Sequence, residues 1–188
     1  MKRYEAVETI LRSVGSDDLV LTTTGMISRE AFAADDRPGT FYMIGSMGLL
    51  SSLGLGLALL KPDHRVVIVD GDGSALMSLG TLPLIAHEAP TNLTYVVLDN
   101  HAYESTGGQY CISCRADLSR IAEAAGFRDV RQTADPGELE NHMRALSAVD
   151  GPVCIHVNVE MGRVDGILRV AHSPTQIRDR LQRHLLST

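Results

Sequence analysis

Residues 70–100 read DGDGSALMSLGTLPLIAHEAPTNLTYVVLDN, and the pattern of this stretch decides the fold. RVVIVD (65–70) and LTYVVLD (93–99) are continuous apolar runs of strand length, as strands covered on both faces of a parallel sheet require. Between them a helix opens near Ser74, and Pro83 suits the first turn of a helix running to His87. The two strands of such a βαβ unit run parallel, so their C-terminal ends share one edge of the sheet. As neighbours they lie about 4.8 Å apart, which brings Asp72 and Asn100 to the same edge. A hard cation such as Mg²⁺ takes one or two protein oxygens and completes its shell with phosphate oxygens and water. The glycines beside Asp72 permit close approach of an anion, and a helix opening there aims free N–H groups at it. The stretch therefore implies a metal-clamped diphosphate.

Working outward, 188 residues with 44% hydrophobic and 21% charged side chains fit a single domain over 1–188 with a substantial core. Tryptophan is absent, so that core must be built from Leu, Ile, Val, Ala and Met. A net charge of −6 without any Lys/Arg run argues against nucleic acid as a partner. An anionic ligand must then be held by backbone dipoles, a metal and individual arginines. The opening MKRYEAVETILRSV is amphipathic rather than a secretory leader. SMGLLSSLGLGLALL (46–60) is almost wholly apolar but shorter than the ~20 residues of a membrane span; it is expected to be a helix buried on nearly every side. Three cysteines without a leader imply reduced thiols and a cytoplasmic protein. Cys111 and Cys114 form a C-x-x-C pair, but it follows a glycine-rich loop and lacks further metal ligands, so it reads as incidental.

The rest of the chain alternates regularly. Tyr4, Val7, Leu11 and Val14 mark an amphipathic helix, DLVLTTTG a strand and turn, residues 28–34 a short helix, and FYMI a brief extended piece. Residues 100–115 form a long loop rich in Gly, Ser and Thr, of the kind that carries function. Asp117 and Gly126 bracket a helix, DPGELENHMRAL opens another with capping residues, PVCIHVNV is a strand, and Ser173 with Gln176 starts a final helix. Strands and helices in alternation give a doubly wound, mostly parallel α/β sheet with helices on both faces. Ligands of such sheets bind at the carboxyl edge where strand order reverses. Three turns gather there: TTTG (22–25), IGSMG (44–48) and GDGS (71–74). GDGSAL lacks the third glycine of a dinucleotide fingerprint, and no GxxxxGK[ST] exists.

GDG, 26 residues, then Asn100, together with TTTGMISRE, IGSMGLLSSLGLGLAL and LDNHAYESTGGQ, resembles the cofactor-binding half of thiamine-diphosphate-dependent 2-oxo acid decarboxylases of the sulfopyruvate and phosphonopyruvate decarboxylase group. The similarity spans essentially the whole chain, and STGGQ (105–109) narrows the subfamily. The resemblance implies that Asp72, the Asn100 side chain and the Ala102 carbonyl coordinate Mg²⁺. It implies that Gly73 and Ser74 donate to the diphosphate, that the Gly45 carbonyl accepts from the 4′-amino group of the pyrimidine, and that Met47 is the apolar wedge under the bent cofactor. Thr24, Gly25, Ser46, Gly71, Tyr103 and Glu104 complete the implied cofactor contacts. Asp99 stands where many relatives have asparagine, and Ala102 where glycine is common. The family also uses a glutamate from a separate domain across a subunit interface. The implied protein is thus one subunit of a hetero-oligomer, inactive without a partner (alpha) subunit that supplies the pyrimidine-binding domain, and acting on a small anionic 2-oxo acid.

Each residue also has an ordinary reading. Asp72 could be a turn residue, Asn100 a strand-end cap, and Met47 core filler. His101 and Tyr103 could face the substrate as catalytic groups or merely cover the loop. His87 is expected on a helix surface. Arg29 and Arg115 could take a sulfonate or phosphonate, although solvated arginine is the default. Two other functions remain open at this point: a non-catalytic cofactor-binding module, and a nucleotide-binding α/β protein with a fortuitous GDG.

Overall fold

A computed structural model describes residues 1–187. Its principal sheet has six parallel strands: β1 (Leu19–Thr22), β2 (Thr40–Tyr42), β3 (Val66–Gly71), β4 (Leu93–Asp99), β7 (Asp129–Thr133) and β8 (Val153–Asn158). Their order is β2-β1-β3-β4-β8-β7. The chain leaves β1 toward β2 on one side and resumes at β3 on the other, so strand order reverses between β1 and β3. Asp72 follows β3 directly, and β3 and β4 are adjacent and in register from Val66↔Leu93 to Gly71↔Leu98.

Alternate residues of each strand feed two cores, as the two-residue period of a strand dictates. Val67 and Val69 join one apolar cluster with Val96, Leu98, Ile155 and Val157. It is closed by α1 (Arg3–Arg12), α2 (Met26–Ala34) and α7 (Pro136–Leu146). Val66 and Ile68 join the other with Leu93, Tyr95 and Val97, under α3 (Leu50–Leu60), α5 (Thr81–Glu88) and α6 (Leu118–Ala125). α8 (Pro174–Ser187) packs on β2 and covers that edge of the sheet, with Ser173 and Gln176 forming the expected capping box. Asp117 and Asp135 cap α6 and α7 through backbone N–H groups, and Gly126 ends α6 in the left-handed conformation.

Three expectations need correction. α3 is not buried on nearly every side: Leu50, Gly54, Leu55 and Ala58 face the sheet, while Leu59 and Leu60 are 47% and 78% exposed. Gly54 lets the helix sit close, because a Cβ there would lie 2.3 Å from Ile68 Cδ1. Loop 100–115 is a structured excursion containing a two-stranded antiparallel hairpin, β5 (Ala102–Tyr103) with β6 (Gln109–Tyr110), and two 3₁₀ turns. The edge strand β7 was not anticipated, since DVRQT is polar and only partly buried, so it carries neither signal of a buried strand. A short helix α4 (Asp72–Met77) opens at the GDG turn, and His87 is exposed, as expected.

Candidate functional site

An open cleft sits at the carboxyl edge, at the β1/β3 reversal. Thr23, Thr24, Met47, Gly71, Asp72, Gly73, Ser74, Asn100, Ala102, Tyr103 and Glu104 line it, with Arg3 at its wall. Of the residues expected from sequence, Gly25, Ser46 and Gly45 lie beside this lining in the adjoining turns, and Arg29 and Arg115 are not part of it. Residues 44–47 form an exposed ledge, with Ile44 60% and Met47 41% exposed. Among the described residues, Ser46 and His101 are two of the three non-glycine residues with positive φ, at 56° and 58°. Such backbone strain is held only where surrounding structure over-determines it.

The floor is built on buried acids. Asp72, 5% exposed, opens α4 with its Oδ2 3.0 Å from Ser113 Oγ. The same Ser113 hydroxyl stands 2.9 Å from Asp99 Oδ1. One hydroxyl carries one proton, so it can donate to only one of two neighbouring carboxylates. Burial lifts Asp72 to about 6, against the pull of the Gly73 N–H and helped by the charge of Asp99. Burial pushes Asp99 up as well, but His156 Nε2 at 2.9 Å, the His101 N–H and Ser113 hold it at about 2. The sequence offered no sign that Asp99, His156 and Ser113 would meet at Asp72, because they come from three distant elements. Below them Asp70 is fully buried, accepts from the Gly71 N–H and the Tyr95 hydroxyl, and interacts with the hydroxyls of Thr23 and Ser74. The Ser74 oxygen also accepts from the Gly48 N–H and from Thr23. Its side chain is thus committed to the floor, and its backbone N–H is the group left at the opening of α4.

His101 points toward the acids rather than the cleft lining, with Nδ1 3.1 Å from Ser113 Oγ and 2.9 Å from Asp99 Oδ1. Tyr103 does line the cleft, and its ring packs on Gly73, where a Cβ would come within 2.3 Å of Cε1. Cys111, which follows the hairpin, is buried and Cys114 is exposed; both are free thiols.

Asp72, the Asn100 oxygen and the Ala102 backbone suit a divalent cation and a diphosphate. Two buried carboxylates share a single hydroxyl, which leaves a local excess of negative charge that a cation relieves. Among the described residues there is no cluster of three His, Cys, Asp or Glu side chains placed to hold a metal. An ion here must complete its shell with amide, carbonyl, phosphate and water oxygens, which is the preference of Mg²⁺.

Residues 23–157, from the first cleft turn to the penultimate residue of β8, match the model of the thiamine pyrophosphate enzyme C-terminal TPP binding domain. The chain belongs to the thiamine pyrophosphate enzyme family. Within that family it is 46% identical over 165 residues to sulfopyruvate decarboxylase subunit beta of Methanothermobacter thermautotrophicus, covering 88% of this chain and 85% of that one. It is 41% identical over 180 residues to phosphonopyruvate decarboxylase of Streptomyces viridochromogenes, covering 96% of this chain but 45% of the relative. The chain thus spans a little under half the length of the phosphonopyruvate decarboxylases it matches. The fold is shared with 4-hydroxybenzoylformate decarboxylase of Rhodococcus jostii RHA1, at TM-score 0.75 and 18% identity over 87% of this chain and 33% of that one. It is shared also with 2-oxoglutarate:ferredoxin oxidoreductase of Magnetococcus marinus, at TM-score 0.74 and 16% identity over 97% of this chain and 74% of that one.

Proposed function

We propose that this chain is the cofactor-binding subunit of a thiamine diphosphate- and Mg²⁺-dependent 2-oxo acid decarboxylase, converting 3-sulfopyruvate to sulfoacetaldehyde and CO₂. The observation that carries the reading is the buried Asp72 at the β1/β3 reversal, in one cleft with Asn100 and Ala102. Identity of 46% across most of a sulfopyruvate decarboxylase beta subunit supports the sulfonate over the phosphonate substrate.

In this reading the Asp72 carboxylate, the Asn100 oxygen and the Ala102 carbonyl hold the metal. Gly73 and Ser74 offer backbone N–H groups to the diphosphate at the opening of α4. In the same reading the Gly45 carbonyl would accept from the pyrimidine amino group and Met47 would support the bend, with Thr24, Gly25, Ser46 and Gly71 as further contacts. Tyr103, which lines the cleft, would border the bound cofactor, while His101 would act through Asp99 and Ser113. When bound, thiamine diphosphate supplies the electron sink for the carbanion left by CO₂ loss. The partner, an alpha subunit, contributes the glutamate that activates the pyrimidine. The exposed apolar ledge and three free thiols agree with a subunit of a cytoplasmic hetero-oligomer. Among the described residues no helix is long and apolar enough to cross a membrane.

The test combines calorimetry and turnover. Thiamine diphosphate should bind only with Mg²⁺, and CO₂ release from 3-sulfopyruvate should appear only on mixing with an alpha subunit. Turnover of phosphonopyruvate in preference to sulfopyruvate corrects the substrate. Cofactor binding without turnover of either acid reduces the chain to a binding module. A melting temperature raised by nucleotide but not by thiamine diphosphate overturns the reading altogether.

A further inference from the structure

We propose that Glu104 is a positioning residue for the metal site, and that it acts by fixing which end of the Asn100 amide faces the ion. The inference rests on the metal role given to Asn100 above. Glu104 Oε2 lies 3.0 Å from Asn100 Nδ2, and the Ala102 N–H lies 3.1 Å from Asn100 Oδ1. A carboxylate beside an arginine can only accept, and a backbone N–H can only donate. Both contacts therefore demand the same orientation: nitrogen toward Glu104, oxygen toward Ala102. The two ends of an amide are alike in shape but opposite in hydrogen-bonding role, so its partners set which end faces a given side, and only the oxygen can ligate Mg²⁺. Asn100 lines the cleft, and its oxygen keeps a second lone pair for an ion.

Glu104 is itself held from three sides. Arg3 Nη1 pairs with Oε2, the Gly162 N–H donates to Oε1 at 3.1 Å, and Arg163 donates to the Glu104 carbonyl at 3.1 Å. Arg3 is 5% exposed and engages the fully buried Glu30 with both Nε and Nη2, at 2.9 and 2.8 Å. A planar guanidinium tied twice to Glu30 presents its remaining edge in one direction only. The Arg3–Glu30 fork is the anchor, Glu104 the arm and the Asn100 amide the part it orients. A buried ion pair is weak evidence for stability; the role proposed for this one is to fix geometry. Groups behind metal ligands set affinity in the same manner, typically ~10- to 100-fold on mutation.

A double-mutant cycle on the full chain separates orientation from mere folding. The quantity read is the Mg²⁺ concentration that half-saturates thiamine diphosphate binding, measured by calorimetry, with a thermal melt of each metal-free variant alongside. Asn100→Ala and Glu104→Ala are each expected to raise it ~10-fold, and the double variant no further than the worse single one. Glu104→Gln, which keeps an acceptor oxygen, should recover most of the affinity lost in Glu104→Ala. Should Glu104→Ala fail to fold, Glu104→Leu, of similar volume, takes its place in the cycle. Losses that multiply in the double variant overturn the proposal, since Glu104 would then act independently of Asn100. An unchanged Mg²⁺ requirement in Glu104→Ala overturns it equally. An Asn100→Ala variant that loads Mg²⁺ normally sinks the metal assignment itself, and the proposal with it.

Discussion

Asp72 shows how a single buried acid makes stability depend on pH. Burial, with the charge of Asp99 beside it, pushes its carboxyl up to about 6 from the ordinary 3.8. A raised acid favours the folded state while protonated, so this contribution is fully present below 3.8 and is lost as pH rises through 6. Asp99, held at about 2, runs the other way: its contribution is present above 3.8 and is lost as pH falls through 2. The metal-free chain should therefore melt at a higher temperature at pH 5 than at pH 7.5, and saturating Mg²⁺ with thiamine diphosphate should abolish that difference. Asp72→Asn removes the ionisation cost and keeps a group for Ser113 to bond. It is expected to raise the metal-free melting temperature at pH 7.5 by a few degrees and to eliminate Mg²⁺-dependent cofactor binding, both readable in one set of melts. A drop in melting temperature at pH 7.5 would count against the account. The candidate ligands were legible in the sequence because GDG and Asn100 sit at fixed spacing on consecutive strands. The groups that tune them were not, because Ser113, His156 and Arg3 meet Asp72, Asp99 and Glu104 only through tertiary folding, which leaves no local pattern.

At the scale of elements, the parts with a one-dimensional signal were the readable ones. The apolar runs of β3, β4 and β8 and the caps Asp117, Asp135 and Gly126 each carry a local chemical reason. Asp117→Ala should cost about 1 kcal/mol through its lost contacts to the Ser119 and Arg120 N–H groups. That corresponds to a fall of about 2–4 °C in a thermal melt. β7 and the β5–β6 hairpin were not readable: β7 lies at a polar edge, and the hairpin strands are two residues each, too short to show alternation. α3 misled because composition does not say which side of an apolar helix meets the sheet. Its close seating makes a prediction of its own. Gly54→Ala drives a methyl against Ile68 Cδ1 and Cγ1, at 2.3 and 2.6 Å. A loss of about 1–3 kcal/mol is expected, with partial recovery in the Gly54→Ala/Ile68→Val pair, which removes Cδ1. No recovery in chemical denaturation of the pair would place the strain elsewhere.

For the whole molecule, the architecture was legible because alternating strands and helices admit few solutions, and right-handed crossovers remove most of those. Surface chemistry then separates the two sides of the cleft. Ile44, Leu49 and Met77 are each more than half exposed, and Met77 Cβ lies 2.9 Å from where a Cβ on Gly48 would stand, so ledge and α4 present one apolar rim. Leu49→Ser with Met77→Ser should weaken assembly with an alpha subunit at least tenfold in analytical ultracentrifugation, while shifting the melting temperature of the lone chain by under about 2 °C. The opposite wall is assembled from remote pieces of chain. Arg3 joins Glu30, Glu104 and the Gly162 carbonyl, and the Met1 carbonyl and the Lys2 side chain are tied to Glu160. During synthesis this wall cannot close until residue 162 has been made, however early the β1–β4 half collapses. The seat of Glu104 is therefore completed late in the life of each nascent molecule, and a shortened product ending before that residue would keep the Arg3–Glu30 pair yet lack the Gly162 contacts that steady Arg3 and Glu104.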